Sequence, residues 1–316
     1  MPLHSQISLK EFYAIYAKLQ KFDHIPQFHL DLLDVLEKEQ WDNNSLVVQI
    51  FRNGSKSSLS AVYVSWKLVC DPTKLFLIQS ADQQTSRKTI SDIRKIITVH
   101  PFAQHLRGAD TIWSADGVEV NGSTSGRNLS VSARGIFSNV TGGRADYIIY
   151  DDCEVPKNAA SAELRVKLRE RISESYHLLN PGGKRIFIGT PHSWESIYPE
   201  EINKGATSFR VPLLSNLQGE FPYMKGECAW PQRWSEDEIF AKQIACKSKN
   251  EFYSQYQLIP ATLEEATLDP ALLQVYSDEP RIHTANRTTV MFLGKAEIKA
   301  IKCFWDPALS KANGDN

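Results

Sequence analysis

Three short runs of residues have the types and spacing for chemistry on a phosphate. The first is Arg52-Asn53-Gly54-Ser55-Lys56-Ser57-Ser58, directly after the apolar run 45–51. A turn that cradles phosphates needs small residues, so that backbone N–H groups can point at the anion. It also needs a lysine that reaches the outer phosphates and a hydroxyl for Mg²⁺. Gly54, Lys56 and Ser57 supply these. The common pattern G-x-x-x-x-G-K-[ST] is not met, because Ile50 stands at its first glycine and Ser55 at its second. The second run is Tyr147-Ile148-Ile149-Tyr150-Asp151-Asp152-Cys153-Glu154. Ligands of open α/β sheets bind at the carboxyl ends of strands. One carboxylate there can hold a metal and another can orient an attacking water. Asp152 and Glu154 both qualify for the second task. The third run, Ile188-Gly189-Thr190-Pro191, closes the next strand and offers Thr190 as a sensor of the γ-phosphate. A Ser/Gly turn with one lysine is often only a solvated loop, and many strands run into acidic turns. In this order, on one edge of one parallel sheet, the runs describe a nucleotide-hydrolysing core.

The elements that must position them follow from hydrophobic periodicity. Residues 8–40 read as helical, with Ser8 and Glu11 as a capping box. Strands are expected at 45–51, 75–80, 146–150, 185–189 and 208–213, with helices over 58–69, 82–99 and 160–179 between them. Residues 111–133 alternate polar and apolar and suggest short hairpin strands. Alternating strands and helices imply a mostly parallel sheet covered on both faces. The alternation fades after about residue 215. A helical region follows over 235–256, then a linker-like stretch over 260–290, then a strand over 298–305 that ends at Asp306.

Composition narrows the class. The chain has 316 residues, 42% hydrophobic and 23% charged, which excludes a collagen, a coiled coil, a disordered tail and a disulfide scaffold. Thirty-six basic and 37 acidic side chains leave a net charge of −1, so contacts to nucleic acid would have to come from local patches. Arg165, Lys167, Arg169 and Arg171 on one helix, and Lys242, Lys247 and Lys249 later, are such patches. A solvated face is the usual reading of such runs, and DNA tracking is the other. Five cysteines without a C-x-x-C pair point to a reducing compartment. No apolar run is long enough to span a membrane, and the N-terminus does not read as a signal peptide.

On these motifs the chain resembles the large subunit of tailed-phage terminases, in the T7-type maturase and packaging branch. Arg52, Lys56 and Ser57 match a deviant phosphate loop that carries an arginine. Tyr147–Glu154 match the acidic strand, and Gly189-Thr190 the coupling motif. The segment from Trp230-Pro-x-Arg233-Trp234 through Phe252-x-x-Gln255-Tyr256-Gln257-x-x-Pro260 matches as well. The resemblance implies an α/β P-loop ATPase of the ASCE/RecA-like kind over residues 45–259, with a mostly parallel sheet flanked by helices. A helical region, 1–44, would precede it. A linker, 260–295, and the first strand of an RNase H-like nuclease, 296–316, would follow.

By the same resemblance, residues Arg52 to Ser58 would bind ATP, and Ser57 and Asp151 would bind Mg²⁺. Asp152, at the family's position after the metal-binding aspartate, or Glu154, the stronger base by reach, would be the catalytic acid, and Thr190 would couple hydrolysis to motion. Arg52 in cis, or Arg134 or Arg144 toward a neighbouring subunit, would be the arginine finger. Asp306 would be a nuclease metal ligand. Two-metal cleavage needs several carboxylates, so nuclease activity is not expected here. The implied partners are double-stranded DNA, the portal protein, the small terminase subunit and further copies in a ring. The implied place is the procapsid portal vertex in the host cytoplasm, without membrane or secretion. The alternatives are another helicase-like P-loop translocase, or a non-catalytic interaction module whose missing glycines at Ile50 and Ser55 mean that nucleotide no longer binds.

Overall fold

A computed structural model describes residues 7–126, 128–138, 142–192, 195–260, 280–285, 288–293 and 296–298. The chain divides into two compact units, Met1–Thr262 and Leu263–Asn316. Helix α1 (Leu9–Leu19) starts at the expected capping box. Ser8 Oγ accepts the Glu11 N–H, and the Glu11 carboxylate accepts the Ser8 N–H at 2.9 Å. The helix does not run on to residue 40. Lys21 takes a left-handed φ of 58°, and α2 (Gln27–Lys38) begins anew after Pro26, whose ring disfavours helix in the residue before it.

The first unit is an α/β core. It contains β1 (Ser45–Ile50), α3 (Lys56–Cys70), β2 (Phe76–Ser80), α4 (Gln83–Val99), β3 (Gly117–Val118) and β4 (Val131–Gly135). It continues through β5 (Ala145–Asp151), α5 (Pro156–Ala159), α6 (Ala162–Tyr176), β6 (Leu179–Ile188), α7 (Ile197–Asn203) and β7 (Thr207–Val211). The seven strands lie in the order β3-β4-β2-β5-β6-β1-β7, parallel except for β3. Alternate residues of the central strands face opposite cores. Leu46, Val48, Ile50, Tyr147 and Ile149 join one with α1 to α4. Val47, Ile148, Tyr150 and Phe187 join the other with Leu168, Ile172 and Tyr198. A strand buried on both faces has to be apolar throughout, which is why these segments stood out in the sequence.

Strand β6 starts at Leu179, earlier than expected. The register slips between its pairing with Ala145 and with Tyr147, so Pro181-Gly182-Gly183 forms a bulge inside the strand. Among the described residues, the strands expected within 111–133 are realised as β3 and β4, which pair antiparallel.

After β7 come the hairpin β8 (Leu214–Gln218) and β9 (Lys225–Cys228), then α8 (Glu236–Ala245), α9 (Lys249–Phe252) and a π-helical turn, Tyr253–Gln257. In the second unit, β10 (Arg281–Ala285), β11 (Thr288–Leu293) and β12 (Ala296–Ile298) form an antiparallel sheet. Two of these strands fall where the sequence read as linker. Their alternation is interrupted by charged and short polar residues, and strand pairing supplies what local pattern lacks. The expected strand 298–305 lies almost wholly outside the described residues, and Asp306 lies outside them.

Candidate active site

Because β1, β5 and β6 are parallel neighbours, their carboxyl ends meet at one edge of the sheet. The phosphate-type turn leaves β1 there and enters the N-terminus of α3. No side chain caps α3, so its first N–H groups face the cleft, as an anion site requires. Ser55 adopts φ 65°, ψ 25°, and Asn53 φ 66°. Ser55 thus takes the left-handed backbone that a glycine would take without cost. Gly54 is required for another reason. A Cβ there would collide with Ile50 Cγ2 and touch the Phe51 carbonyl at 3.0 Å.

Ser57 Oγ donates to Asp151 Oδ1 at 3.0 Å, and Thr89 Oγ1, from α4, donates to Asp151 Oδ2 at 3.0 Å. Both oxygens of the buried Asp151 are therefore held. Burial, then the adjacent Asp152 charge, push its carboxyl up to about 6, while the two hydroxyls work against that. Lys56 Nζ donates to the Ile50 carbonyl at 2.9 Å. Burial lowers the Lys56 pKa, and the Asp152 and Asp151 charges oppose this. The hydroxyl of Ser57 beside the carboxylate of Asp151 is a hard-oxygen pair of the kind Mg²⁺ takes alongside water and phosphate. Among the described residues no group of three or more His, Cys, Asp or Glu gathers as a metal cage. A divalent ion here would complete its shell from water and substrate.

Arg52, Asn53, Ser55, Lys56, Ser57, Ser58, Asp152, Glu154, Thr190, His192 and Gln255 line one cleft of about 820 Å³. Asp152 has φ 47°, and its N–H donates to the Ile188 carbonyl at 2.8 Å, which bends the strand end there. No hydrogen bond from a described residue occupies its carboxylate. Glu154 differs. It is buried, one oxygen accepts the His192 N–H at 3.2 Å, and the other accepts the Ile197 N–H at 2.8 Å. Burial raises its pKa, and these N–H groups oppose the rise. Glu154 thus fastens the segment after Thr190 to the acidic strand. Thr190 is buried just past β6. Gly189 before it leaves room for the Tyr198 hydroxyl, which any Cβ would strike.

The arginines separate by position. Arg52 Nη1 donates to Gln255 Oε1 at 3.2 Å in the cleft. Arg134 is exposed near the carboxyl end of β4, on the edge that holds the site. Arg144 precedes β5 at the opposite edge and donates to the His177 carbonyl at 3.4 Å. The basic run on α6 is paired: Arg165 with Glu195, Lys167 with Glu163, Arg169 with Glu200 and Arg171 with Glu174.

Three contributors were not legible as site residues. Thr89 reaches Asp151 from a helix that follows a different strand. Gln255 enters from the end of the unit. His29, on α2, is buried between Tyr13 and the phosphate-type turn. Its Nδ1 lies 2.8 Å from the Tyr13 hydroxyl, and its Nε2 lies 3.2 Å from the Gly54 carbonyl. The one available signal was the apolar stripe around His29. Its neighbour Phe28 packs on Phe51 and Trp230.

The sheet order, with one strand between the phosphate-turn strand and the acidic strand, together with the Lys56, Ser57 and Asp151 arrangement, defines a P-loop NTPase fold. The chain is 29% identical over 259 residues to the terminase large subunit of Enterobacteria phage T3, covering 79% of this chain and 41% of that relative. It therefore spans about two-fifths (41%) of the relative's length. The crystal structure of the HK97 bacteriophage large terminase matches with a TM-score of 0.50 at 12% identity, over 74% of this chain and 50% of that one. The ATPase domain of the Thermus phage P74-26 large terminase matches with a TM-score of 0.47 at 13% identity, over 77% of this chain and 96% of that one. No family model matches the chain. The resemblance to terminase large subunits that the motifs carry thus extends over 79% of the chain in sequence, and the fold is similar to that of a large terminase.

Proposed function

We propose that residues 45–259 are the ATP-hydrolysing motor of a phage DNA-packaging large terminase, which drives double-stranded DNA into procapsids. The observation that carries this reading is the 3.0 Å contact from Ser57 to Asp151, in one cleft with Lys56 and Asp152. The N–H groups at the start of α3 and the Lys56 ammonium hold the β- and γ-phosphates. When bound by Ser57 and Asp151, Mg²⁺ supplies positive charge against the phosphate oxygens. Asp152 accepts a hydrogen bond from the attacking water and aims it at the γ-phosphorus. Arg52 offers its guanidinium to the transferring phosphoryl group. Thr190, at the end of the intervening strand, meets the γ-phosphate, and Glu154 carries its displacement into the segment before α7.

The portal protein, the small terminase subunit and a ring of copies at the portal vertex in the host cytoplasm complete the proposed setting. Arg134, on the site's own edge, is better placed than Arg144 to reach a neighbour in such a ring. Steady-state ATP hydrolysis, with and without DNA, tests the reading. Wild type should hydrolyse ATP and respond to DNA, and Lys56→Ala should fall to background. Equal background rates for the two proteins would sink it.

A further inference from the structure

Gln255 lies in the π-helical turn and reaches two parts of the cleft at once. It is 7% exposed. Its backbone carbonyl accepts the Arg52 N–H at 2.8 Å, and its Oε1 accepts Arg52 Nη1 at 3.2 Å. Its Nε2 faces His192 Nδ1 at 3.4 Å and Ser254 Oγ at 3.2 Å. Ser254 Oγ donates to the Pro191 carbonyl at 2.5 Å. Single π-turns inside helices are rare and gather at functional sites. This one sets two consecutive buried polar side chains against the segment that follows Thr190.

We propose that Gln255 is a positioning residue that holds the Arg52 guanidinium beside the phosphate turn and links its position to Pro191 and His192. The proposal rests on the nucleotide-hydrolysis reading above. An amide has one accepting end and one donating end, and here Arg52 takes the first and His192 the second. A neutral amide oxygen can hold an arginine and still lose it to phosphate oxygens, which carry charge and can take the guanidinium through two parallel hydrogen bonds. A carboxylate in the same place would keep it. When Arg52 turns to a γ-phosphate, the buried Oε1 loses its partner. The side chain must then shift, and its contact with His192 shifts with it. An ADP-filled cleft lacks the γ-phosphate and leaves the link intact.

The test uses the full chain, with ATPγS and ADP binding measured by calorimetry. Gln255→Glu keeps the shape and replaces the amide with a carboxylate. It should lower the affinity for ATPγS relative to ADP by about tenfold, the worth of one charge-assisted hydrogen bond. Gln255→Leu frees Arg52 and should leave that ratio at or above its wild-type value. In an Arg52→Ala background, Gln255→Glu should no longer change the ratio. An unchanged ratio in Gln255→Glu, or equal effects of the two single variants, would overturn the proposal.

Should Gln255→Glu not fold, hydrogen exchange over residues 190–197 provides a second arm. ATPγS and ADP should protect this segment differently in wild type and alike in Gln255→Leu, and a difference that survives in Gln255→Leu refutes the link. If wild type binds neither nucleotide, the nucleotide reading fails and takes this proposal with it. If wild type binds and hydrolyses ATP while the ratio is insensitive to Gln255→Glu, the link alone fails.

Discussion

A carboxylate works as a base only if a lone pair is open to the water it must hold. Glu154 is 1% exposed and each of its oxygens already accepts a backbone N–H, whereas the Asp152 carboxylate takes no hydrogen bond from a described residue and stands on a left-handed backbone position in the cleft. Strained residues of this kind gather where function fixes the geometry. Asp152→Asn, which keeps size and tolerates the same backbone, should cut kcat by about 10² to 10⁴. Its nucleotide affinity and melting temperature should stay near wild type. Glu154→Gln should instead lower the melting temperature, because an amide cannot accept both N–H groups as well as a carboxylate does. If Glu154→Gln is the silent-to-folding, dead-to-hydrolysis variant, the assignment is reversed. Ser55→Gly removes a left-handed non-glycine residue, a strain of roughly 1 kcal/mol. Urea denaturation should show equal or higher stability, with ATP hydrolysis retained.

At the scale of elements, α2 is tied down at both ends, at its start beside the phosphate-type turn and at its end beside the C-terminal half of α3 and the start of β5. At its start, burial keeps the His29 imidazole down at about 4, against 6.5 for an exposed one. Between those two values the unfolded chain carries the His29 proton and the folded chain does not, so the His29 contribution to stability rises with pH through this window and is lost as pH falls through it, against an opposite contribution from the raised Asp151 carboxyl. The loss should be of order 3 kcal/mol. His29→Gln should flatten that slope between pH 6.5 and 4 in denaturation measured across pH, and raise KM for ATP because Gly54 loses its partner. An unchanged slope would remove His29 from the account.

At the C-terminal end of α2, Glu39 takes φ 49°. It accepts hydrogen bonds from the Tyr63 hydroxyl at 2.6 Å and the Tyr147 hydroxyl at 2.9 Å, and pairs with Lys67 at 2.6 Å. Removing one member of such a half-buried set strands the others. Glu39→Ala should therefore cost about 3 kcal/mol in chemical denaturation with an unchanged m-value.

For the whole molecule, every described residue of the candidate site lies in the unit Met1–Thr262. A chain ending at Thr262 should fold cooperatively and hydrolyse ATP at the full-chain rate, and loss of activity on that cut would assign residues beyond it a part in the site. The α6 basic run, read from sequence as a patch open to DNA or solvent, is neutralised by its own acidic partners. The net charge of −1 therefore conceals no unpaired basic stripe on that helix.

Fold class, the strands around the site and the Arg52–Ser58, Asp151 and Thr190 motifs were all legible in the amino-acid order. Each rests on local pattern: an apolar strand buried on both faces, a turn of small residues, acids at a strand end. That Glu154 is hydrogen-bonded at both oxygens and Asp152 is not was illegible, because it depends on which N–H groups of a segment some 40 residues away come within reach. Nor were Thr89, His29 and Gln255, whose partners lie 62, 25 and 203 residues distant. Local pattern fixes which edge of the sheet can hold phosphate, whereas only packing across the chain decides which polar side chains are left facing the cleft.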